Sequence, residues 1–354
     1  MTKAALLFSG YNQRAVIALC RYFSKVGMEI LIVSSGGDDS IYHTKYKKNV
    51  VFERADSILT TKIFEEVSLR YTGPIIYCPT SEYLNRFVFE NYDVLMKLNI
   101  RPGMPSEKRY TKVTNKRSSQ DIVRCVSGLS IPKEMPISKA KAPCVLKPCK
   151  NIVDGNVLYP IICQDDLVLE NTLSNIKSEN YFAQEYIEGQ SYYLCGVLTK
   201  NGEFCCYWQE NLLQQANGKS MVLARSCKNP GISESFFFNS IHSSGYHGIM
   251  MTEFIKRRDE LYYIETNPRF WGPFQLAIDH CSHIMDLYIK EWFGVYTHEF
   301  CNRETTNYYA WYFGAQQSEL KEYPSIKSIN EVNLFLEKYD VYNRDDTADL
   351  HKRH

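Results

Sequence analysis

Two carboxylates late in the chain are placed to repel each other unless a cation lies between them. Residues 250–255 and 261–267 form two runs rich in β-branched, aromatic and apolar residues around a charged break, which predicts a β-hairpin. With a turn centred near Asp259, Glu253 lies directly across from Glu265. Facing Cβ atoms are about 5 Å apart, and at an effective dielectric of about 20 the repulsion costs about 3 kcal/mol. Solvated side chains on an edge hairpin explain the two residues equally well.

An amide and an arginine beside this pair favour a metal site. Asn267 lies two residues after Glu265, so on a strand both side chains leave the same face. Two carboxylates and an amide oxygen are hard ligands that suit Mg²⁺. Arg269 follows, and the bulky, poorly soluble residues 270–272 come next, a run that a free surface turn seldom carries. The segment therefore predicts a magnesium site with an arginine two residues beyond it.

Two lysines and a strand form further candidate pieces. Lys116 opens a predicted helix over 114–127, and Lys147 closes an apolar strand before a proline. A buried lysine needs an anionic partner, and a nucleotide phosphate would serve. A structural lysine whose head reaches solvent accounts for Lys147 alone more simply. Residues 181–189 are, by themselves, a buried strand that ends at a turn glycine.

Composition limits the class of protein. The 354 residues suffice for two or three domains. With 41 basic and 40 acidic residues there is no basic surplus for nucleic-acid binding, and no apolar run is long enough to span a bilayer. The twelve cysteines are scattered, without a Cys-x-x-Cys pair or a secretory signal. We expect a cytoplasmic protein with no nucleic-acid or membrane partner.

The first hundred residues alternate between strands and helices, which predicts a parallel sheet. Ligands of such sheets collect at the carboxyl ends of the strands. The candidate substrate residues at this rim are Ser9, Gly10, Asn12, Thr80, Ser81 and Glu82. An acid at 38 or 39 hints at a dinucleotide site and hence an oxidoreductase, but Gly-x-Gly-x-x-Gly is absent from the first turn.

Taken together, the pieces resemble the ATP-grasp ligases. Glu-x-Asn-Pro-Arg-x-x-Gly, after a strand pair with an upstream Glu, resembles the metal-binding end of that family. Lys116 and Lys147 resemble its two ATP-contacting lysines, and 181–189 resembles its hinge strand. The pieces occur in the family's order between residues 110 and 290.

The resemblance implies an α/β fold of four parts. A Rossmann-like, pre-ATP-grasp parallel-sheet domain (1–105) precedes a two-subdomain α+β ATP-grasp core and a short C-terminal extension. The core comprises a lid subdomain with the lysines and flap (106–187) and a metal-binding subdomain (188–300), and the extension covers 301–354.

The resemblance also implies roles for individual residues. Glu253, Glu265 and Asn267 would hold Mg²⁺, or Mn²⁺, and Arg269 and Lys147 would act in catalysis. The residues expected to bind ATP are Lys116, Lys147, Lys150, Gln184, Glu185, Tyr186, Ile187 and Ser191.

The chain departs from the family pattern in two places. The flap after Lys147 has one glycine, so Lys150 is expected to supply a side-chain charge there. Where the family has an acid for the ribose hydroxyls, this chain has Gln190 and Ser191, which predicts weaker nucleotide binding.

The implied activity is an amide-forming ligation. ATP would activate a small carboxylate, an amino acid by family habit, and an amine would then attack it, releasing ADP and phosphate. Arg225 is a candidate partner of the substrate carboxylate, although a salt bridge on the surface explains it more simply. A non-catalytic ATP-binding module and a carboxyphosphate- or carbamate-forming ligase stay open as alternatives, as does a homodimer.

Overall fold

The structure is a computed structural model of the chain. It describes residues 2–149, 152–153, 156–215, 220–294, 305–317 and 329–353. Lys150, predicted to contact phosphate, lies outside the described residues. No helix in these ranges is long and apolar enough to span a bilayer.

The N-terminal region forms a five-stranded parallel sheet in the order β3-β2-β1-β4-β5. Its strands are β1 Ala4–Phe8, β2 Glu29–Ser34, β3 Val50–Glu53, β4 Ile75–Tyr77 and β5 Ile100–Arg101. Its helices are α1 Gln13–Lys25, α2 Lys62–Arg70, α3 Glu82–Glu90 and α4 Tyr92–Lys97. The three central strands, β2, β1 and β4, are largely buried apolar runs because both faces of a parallel sheet are covered. The predicted parallel-sheet domain is confirmed.

The next region carries a four-stranded sheet in the order β11-β8-β12-β7 and a short hairpin, β9 with β10. Its elements in chain order are α5 Glu107–Thr114, α6 Lys116–Val123, β6 Leu129–Ser130, β7 Glu134–Met135, β8 Cys144–Pro148, β9 Ile152–Val153, β10 Asn156–Val157, β11 Ile161–Cys163, α7 Asp166–Asn175 and β12 Tyr181–Glu185. The predicted helix over 114–127 is wrong at both ends, because Asn115 ends α5 and caps α6, and α6 ends at Val123.

The remainder builds a seven-stranded sheet in the order β18-β15-β14-β13-β16-β17-β6. Its elements are β13 Gln190–Leu198, β14 Phe204–Gln214, β15 Met221–Cys227, α8 Glu234–Ser243, β16 Gly248–Arg257, β17 Glu260–Asn267, α9 Phe274–Cys281, α10 His283–Phe293, β18 Tyr308–Ala310, α11 Tyr312–Gln316, α12 Ile329–Lys338 and α13 Ala348–His351.

Both faces of the large sheet are packed. We call them the Glu253 face and the Phe254 face, because these neighbours on β16 point to opposite sides. The apolar part of the Glu253 face packs against α9 and α10, and α9 in turn packs against α1. The Phe254 face packs against α5, α6 and α8. Polar side chains on the Glu253 face therefore lie beside the packed core.

Candidate active site

A β-bulge brings the two glutamates together. β16 and β17 are joined by the two-residue turn Arg258-Asp259, with Arg258 at φ +57°. Next to the turn Arg257 pairs with Glu260, and the ladder changes register by one residue between Phe254 and Glu253. Ile264 is the extra residue, and Glu253 therefore pairs with Glu265, as the sequence predicts.

The glutamate pair is electrostatically strained without a cation. Burial raises the pKa of Glu253 to about 8, and the charge of Glu265 adds to this, while Lys147 acts in the opposite direction. Burial alone would also raise the pKa of Glu265, but Lys147, a hydrogen bond from Asn267, Lys116 and Arg269 bring it below its ordinary value. One carboxylate is thus held charged while its neighbour resists ionisation. A divalent cation would relieve this conflict, so the residues fit Mg²⁺.

Both predicted lysines lie near Glu265, Lys147 on β8 of the smaller sheet and Lys116 at the start of α6. Lys147 on β8 is 5% exposed, and its Nζ lies 3.5 Å from the carbonyl oxygen of Ile264, the bulged residue. Burial lowers the pKa of Lys147, whereas Glu265 and Glu253 raise it. Lys116 donates to the carbonyl oxygen of Pro148 at 3.0 Å, and burial lowers its pKa to about 8. The cleft between the two sheets therefore contains cations and carboxylates together.

Asn267 and Arg269 extend the cluster in sequence order. The Nδ2 of Asn267 donates to Oε1 of Glu265 at 2.8 Å, and Nη1 of Arg269 donates to Oδ1 of Asn267 at 3.0 Å. Asn267 thus holds the carboxylate with one end of its amide and the arginine with the other. To ligate a metal through Oδ1, Asn267 would have to share that oxygen with Arg269.

The predicted adenine segment covers the end of β12, in the smaller sheet, and the residues that follow it. Gln184 is buried and donates to the carbonyl oxygen of Pro132 at 3.1 Å. Glu185 accepts from Nη1 of Arg257 at 2.9 Å, which fixes the end of β12 to the large sheet. Tyr186 is half-buried, Ile187 is 4% exposed, and both lie in the link between β12 and β13. The predicted hinge position is therefore where the two sheets are joined.

The rim of the N-terminal sheet lies against the segment that carries Arg269. Asn12 donates to the carbonyl oxygens of Thr80 (3.4 Å) and Phe270 (3.3 Å), and Phe270 donates through its N–H to Pro79 at 2.7 Å. Asn85 of α3 donates to the carbonyl oxygen of Pro268 at 3.3 Å. The candidate substrate rim is therefore in direct contact with the segment that follows the metal hairpin.

Several rim side chains already have partners within the chain. Ser9 donates to Gln13 and Asp39, and Ser81 caps α3 by accepting from the N–H of Leu84. Glu82 accepts from the hydroxyl of Tyr110. Gly10 has φ +85°, and a Cβ there would lie 2.4 Å from Ser35. Thr80, by contrast, has a buried hydroxyl without a partner among the described residues.

Arg225 is the one predicted substrate residue that the structure moves away from the cleft. Ser226 pairs with Gln209, which pairs with Tyr193, which pairs with Glu253. Because side chains alternate along a strand, Arg225 lies on the Phe254 face. There it donates to Glu210, its cross-strand partner, at 2.7 Å. The salt bridge that the sequence offered as the simpler explanation is present, and a role of Arg225 at the substrate stays a prediction.

Residues that sequence reasoning missed lie on β13 and β14. Tyr193, Gln209 and Asn211 are buried polar side chains on the Glu253 face, and Tyr193 is the direct neighbour of Glu253. The available signal was the spacing of Gln209 and Asn211, two residues apart on either side of Glu210, because two amides on one face of a buried strand need partners.

Comparisons with known proteins agree with this geometry. No protein-family model and no curated protein matches the sequence. Among solved structures, pyruvate carboxylase from Rhizobium etli matches with a TM-score of 0.61 and 15% identity over 85% of this chain, which spans 31% of that chain. The biotin carboxylase domain of 2-oxoglutarate carboxylase from Hydrogenobacter thermophilus, in complex with MgADP, has a TM-score of 0.62 and 15% identity over 84% of this chain and 71% of its own.

An L-amino acid ligase from Bacillus licheniformis is similar over 82% of this chain and 74% of its own, with a TM-score of 0.55 and 12% identity. Identities this low establish the fold and not the activity. Together with the arrangement of sheets and lysines, these likenesses show that the chain has the ATP-grasp fold.

Proposed function

We propose that this protein is an ATP-dependent ligase that joins a small carboxylate, an amino acid in our expectation, to an amine. The observation that carries the proposal is the pairing of Glu253 with Glu265 beside the buried Lys147 and within reach of Lys116 and Arg269. Two carboxylates beside several cations, in a cleft between two sheets, suit a magnesium nucleotide better than any single anion. The L-amino acid ligase among the structural neighbours supports this substrate class.

The reaction has two steps. An oxygen of the substrate carboxylate attacks the γ-phosphorus of ATP, the bond from that phosphorus to the β,γ-bridging oxygen breaks, and ADP leaves. The nitrogen of the amine then attacks the acyl carbon, phosphate leaves, and the nitrogen loses its proton to give a neutral amide. Both steps build negative charge on oxygen atoms bound to phosphorus.

The residues of the cleft would stabilise that charge by position. Lys147 and Lys116 would contact phosphate oxygens, and Arg269, oriented by Asn267, would stabilise the transferring phosphoryl group. Glu253 and Glu265, with Asn267, would hold Mg²⁺, which supplies charge neutralisation at the phosphates when it is bound. In P-loop enzymes and kinases, basic side chains and metal ions together neutralise the phosphate charge in the same way.

The remaining assignments follow from the path of the nucleotide. Adenine would lie at Gln184, Glu185, Tyr186 and Ile187, between the lid subdomain (106–187) and the metal-binding subdomain (188–300). The acceptor would enter from the N-terminal rim, where Asn12 and Thr80 meet Phe270. Substrate entry from this side would leave the nucleotide deeper in the cleft.

The proposal is tested by phosphate release. Purified protein is given ATP, Mg²⁺ and pairs of the common amino acids, with a second series that contains bicarbonate and amines. We expect turnover with at least one pair and its loss, by at least about 100-fold, in Glu265→Ala, because a metal ligand contributes several kcal/mol to the transition state.

The matched control is Glu260→Ala, which removes an exposed carboxylate from the same strand. It should retain turnover, and circular dichroism should show that both variants are folded. If the wild type binds Mg-ATP but no pair releases phosphate, the protein is a nucleotide-binding module and the proposal is wrong. Release with bicarbonate alone would instead identify carboxyphosphate chemistry.

A further inference from the structure

Arg14, in the first turn of α1, has a guanidinium that contacts only neutral groups. Its Nη1 donates to the carbonyl oxygen of Met221 at 2.9 Å and to the hydroxyl of Tyr309 at 3.4 Å, and its Nη2 donates to Oγ of Ser220 at 3.2 Å. Its Cζ lies 3.9 Å from the centroid of the Trp311 ring. In the ranges that the structure describes, Arg14 forms no ion pair with a carboxylate, so none of its direct contacts balances its charge.

The position of this charge is unfavourable for the helix that carries it. The N-terminal end of a helix is positive, so it favours anions and disfavours cations. The first turn of α1 has no acidic side chain, and the side chain of Asn12, at the N-cap, makes no capping hydrogen bond. Tyr309 adds no negative charge at neutral pH, because burial raises the pKa of its hydroxyl to about 12, although Arg14 acts in the opposite direction. An anion at Arg14 would balance both the side chain and the end of the helix.

The guanidinium has donors left for such an anion. An arginine has five N–H donors, and Met221, Tyr309 and Ser220 accept from three of them. The N–H of Nε and one N–H of Nη2 have no acceptor among the described residues. Two N–H groups on different nitrogens suit the two oxygens of a carboxylate. Arg14, Ser220 and Trp311 are each half-buried, so this place is open to a small ligand.

Arg14 also lies beside the segment that carries Arg269. A Cβ at Gly272 would lie 3.0 Å from Nη2 of Arg14, so the guanidinium packs against the backbone of Gly272. Asn12, next to α1, donates to the carbonyl oxygen of Phe270 at 3.3 Å. Gly272 follows Arg269 by three residues, which span at most about 11 Å when fully extended. A short molecule that reacts near Arg269 is therefore within reach of Arg14.

We propose that Arg14 binds a carboxylate of the amine substrate, so that this substrate is an amino acid or another amine with an acidic group. The inference rests on the proposed function, which supplies the reaction and the place of the phosphates. The carboxylate that reacts must lie at the γ-phosphate, beside Glu253 and Glu265, because one of its oxygens bonds to phosphorus. A cation beside Gly272 suits a second carboxylate that does not react. The product would be a peptide-like amide that keeps this free carboxylate.

The experiment compares an acidic amine with its neutral form. The amine substrate of the active pair is supplied either as the free amino acid or as its primary amide, which keeps the amine and removes the negative charge. With Mg-ATP and the carboxylate substrate saturating, phosphate release gives kcat/KM for each form. We expect the wild type to prefer the free acid by about 10- to 100-fold, the range of hydrogen bonds to a charged group.

Arg14→Met removes the guanidinium and keeps an unbranched side chain. It should lower kcat/KM for the free acid to the value for the amide, mainly through KM, and leave the amide and the KM of Mg-ATP unchanged. A purely structural role of Arg14 would change the amide and Mg-ATP as well. Arg70→Met is the matched control, because it removes an exposed arginine from α2 in the same N-terminal region, and it should keep the wild-type preference.

Arg14→Lys decides the question even if Arg14→Met does not fold. It keeps the charge but cannot offer two N–H groups in a fixed plane, so the preference for the acid should fall without disappearing. A wild type that uses acid and amide equally well, or an Arg14→Met or Arg14→Lys variant that keeps the full preference, would overturn the inference while the proposed function stands. If no pair of substrates releases phosphate, the proposed function itself fails.

Discussion

In the metal-free protein, the free energy of unfolding should fall as the pH rises from about 4.5 to about 8, because of Glu253. The pKa of this carboxyl is raised from 4.5 to about 8, because burial disfavours the charged form and Glu265 repels it, while Lys147 offsets part of the effect. Between these two values the folded state binds one proton more than the unfolded state, so stability decreases with pH. The penalty is absent below pH 4.5 and complete above pH 8.

The size of the effect follows from the same values. At about 1.36 kcal/mol per pH unit, the rise from 4.5 to about 8 corresponds to at most about 5 kcal/mol. Glu253 is only half-buried, and solvent screens part of the repulsion, so we expect about 2 kcal/mol. Glu253→Gln keeps the shape of the side chain and removes its charge. At pH 8 this variant should therefore be more stable than the wild type by about 2 kcal/mol.

Urea unfolding at pH 5 and pH 8 in EDTA measures this difference. Glu90→Gln, which neutralises an exposed glutamate on α3, should follow the wild type at both pH values. Addition of Mg²⁺ at pH 8 should stabilise the wild type and have a much smaller effect on Glu253→Gln. A Glu253→Gln variant that loses as much stability as the wild type between pH 5 and pH 8 would refute the reasoning.

Two further predictions concern the packing at Gly272 and the role of Arg225. Gly272→Ala should lower stability by about 1–3 kcal/mol in thermal unfolding, because the new Cβ would lie 3.0 Å from Nη2 of Arg14, whose guanidinium is held 3.9 Å from the ring of Trp311. Gly37→Ala, where a Cβ meets nothing within 4 Å, should change stability by less than about 1 kcal/mol. Arg225→Ala should leave the KM of the ligation unchanged within about 2-fold, because its salt bridge lies on the Phe254 face and is worth less than about 1 kcal/mol. A large rise in KM would restore Arg225 to the substrate site.

Several elements are predictable from local sequence alone. Apolar periodicity and flanking breaks in the sequence predict helices over 234–243, 274–281 and 283–293, and the structure has helices with these bounds, because such signals act within a few residues. The helix over 114–127 failed for an equally local reason. The side chain of Asn115 accepts from the N–H groups of Arg117 and Ser118, which starts a new helix there.

The site depends on pairings that local sequence does not determine. Lys147, Glu253 and Asn12 come from three different sheets or helices, and their motifs predicted the meeting only through the family resemblance. The position of Arg225 on the Phe254 face likewise depends on pairing. Whether Arg225 or Ser226 shares a face with Glu253 depends on the register of β15, β14, β13 and β16, and one residue of slip reverses the answer.

The sequence predicts that Glu253 and Glu265 face each other, but it does not reveal the bulge that brings them together. From the turn Arg258-Asp259, a regular ladder would place Glu253 opposite Ile264 and would put Tyr263 and Glu265 on one face. The bulge at Ile264 separates them: Tyr263 packs in the core beneath α6, and Glu265 reaches the cleft. It also leaves the carbonyl oxygen of Ile264 for the ammonium of Lys147, 3.5 Å away. One extra residue thus lets the same strand place Tyr263 in the core and Glu265 beside Glu253.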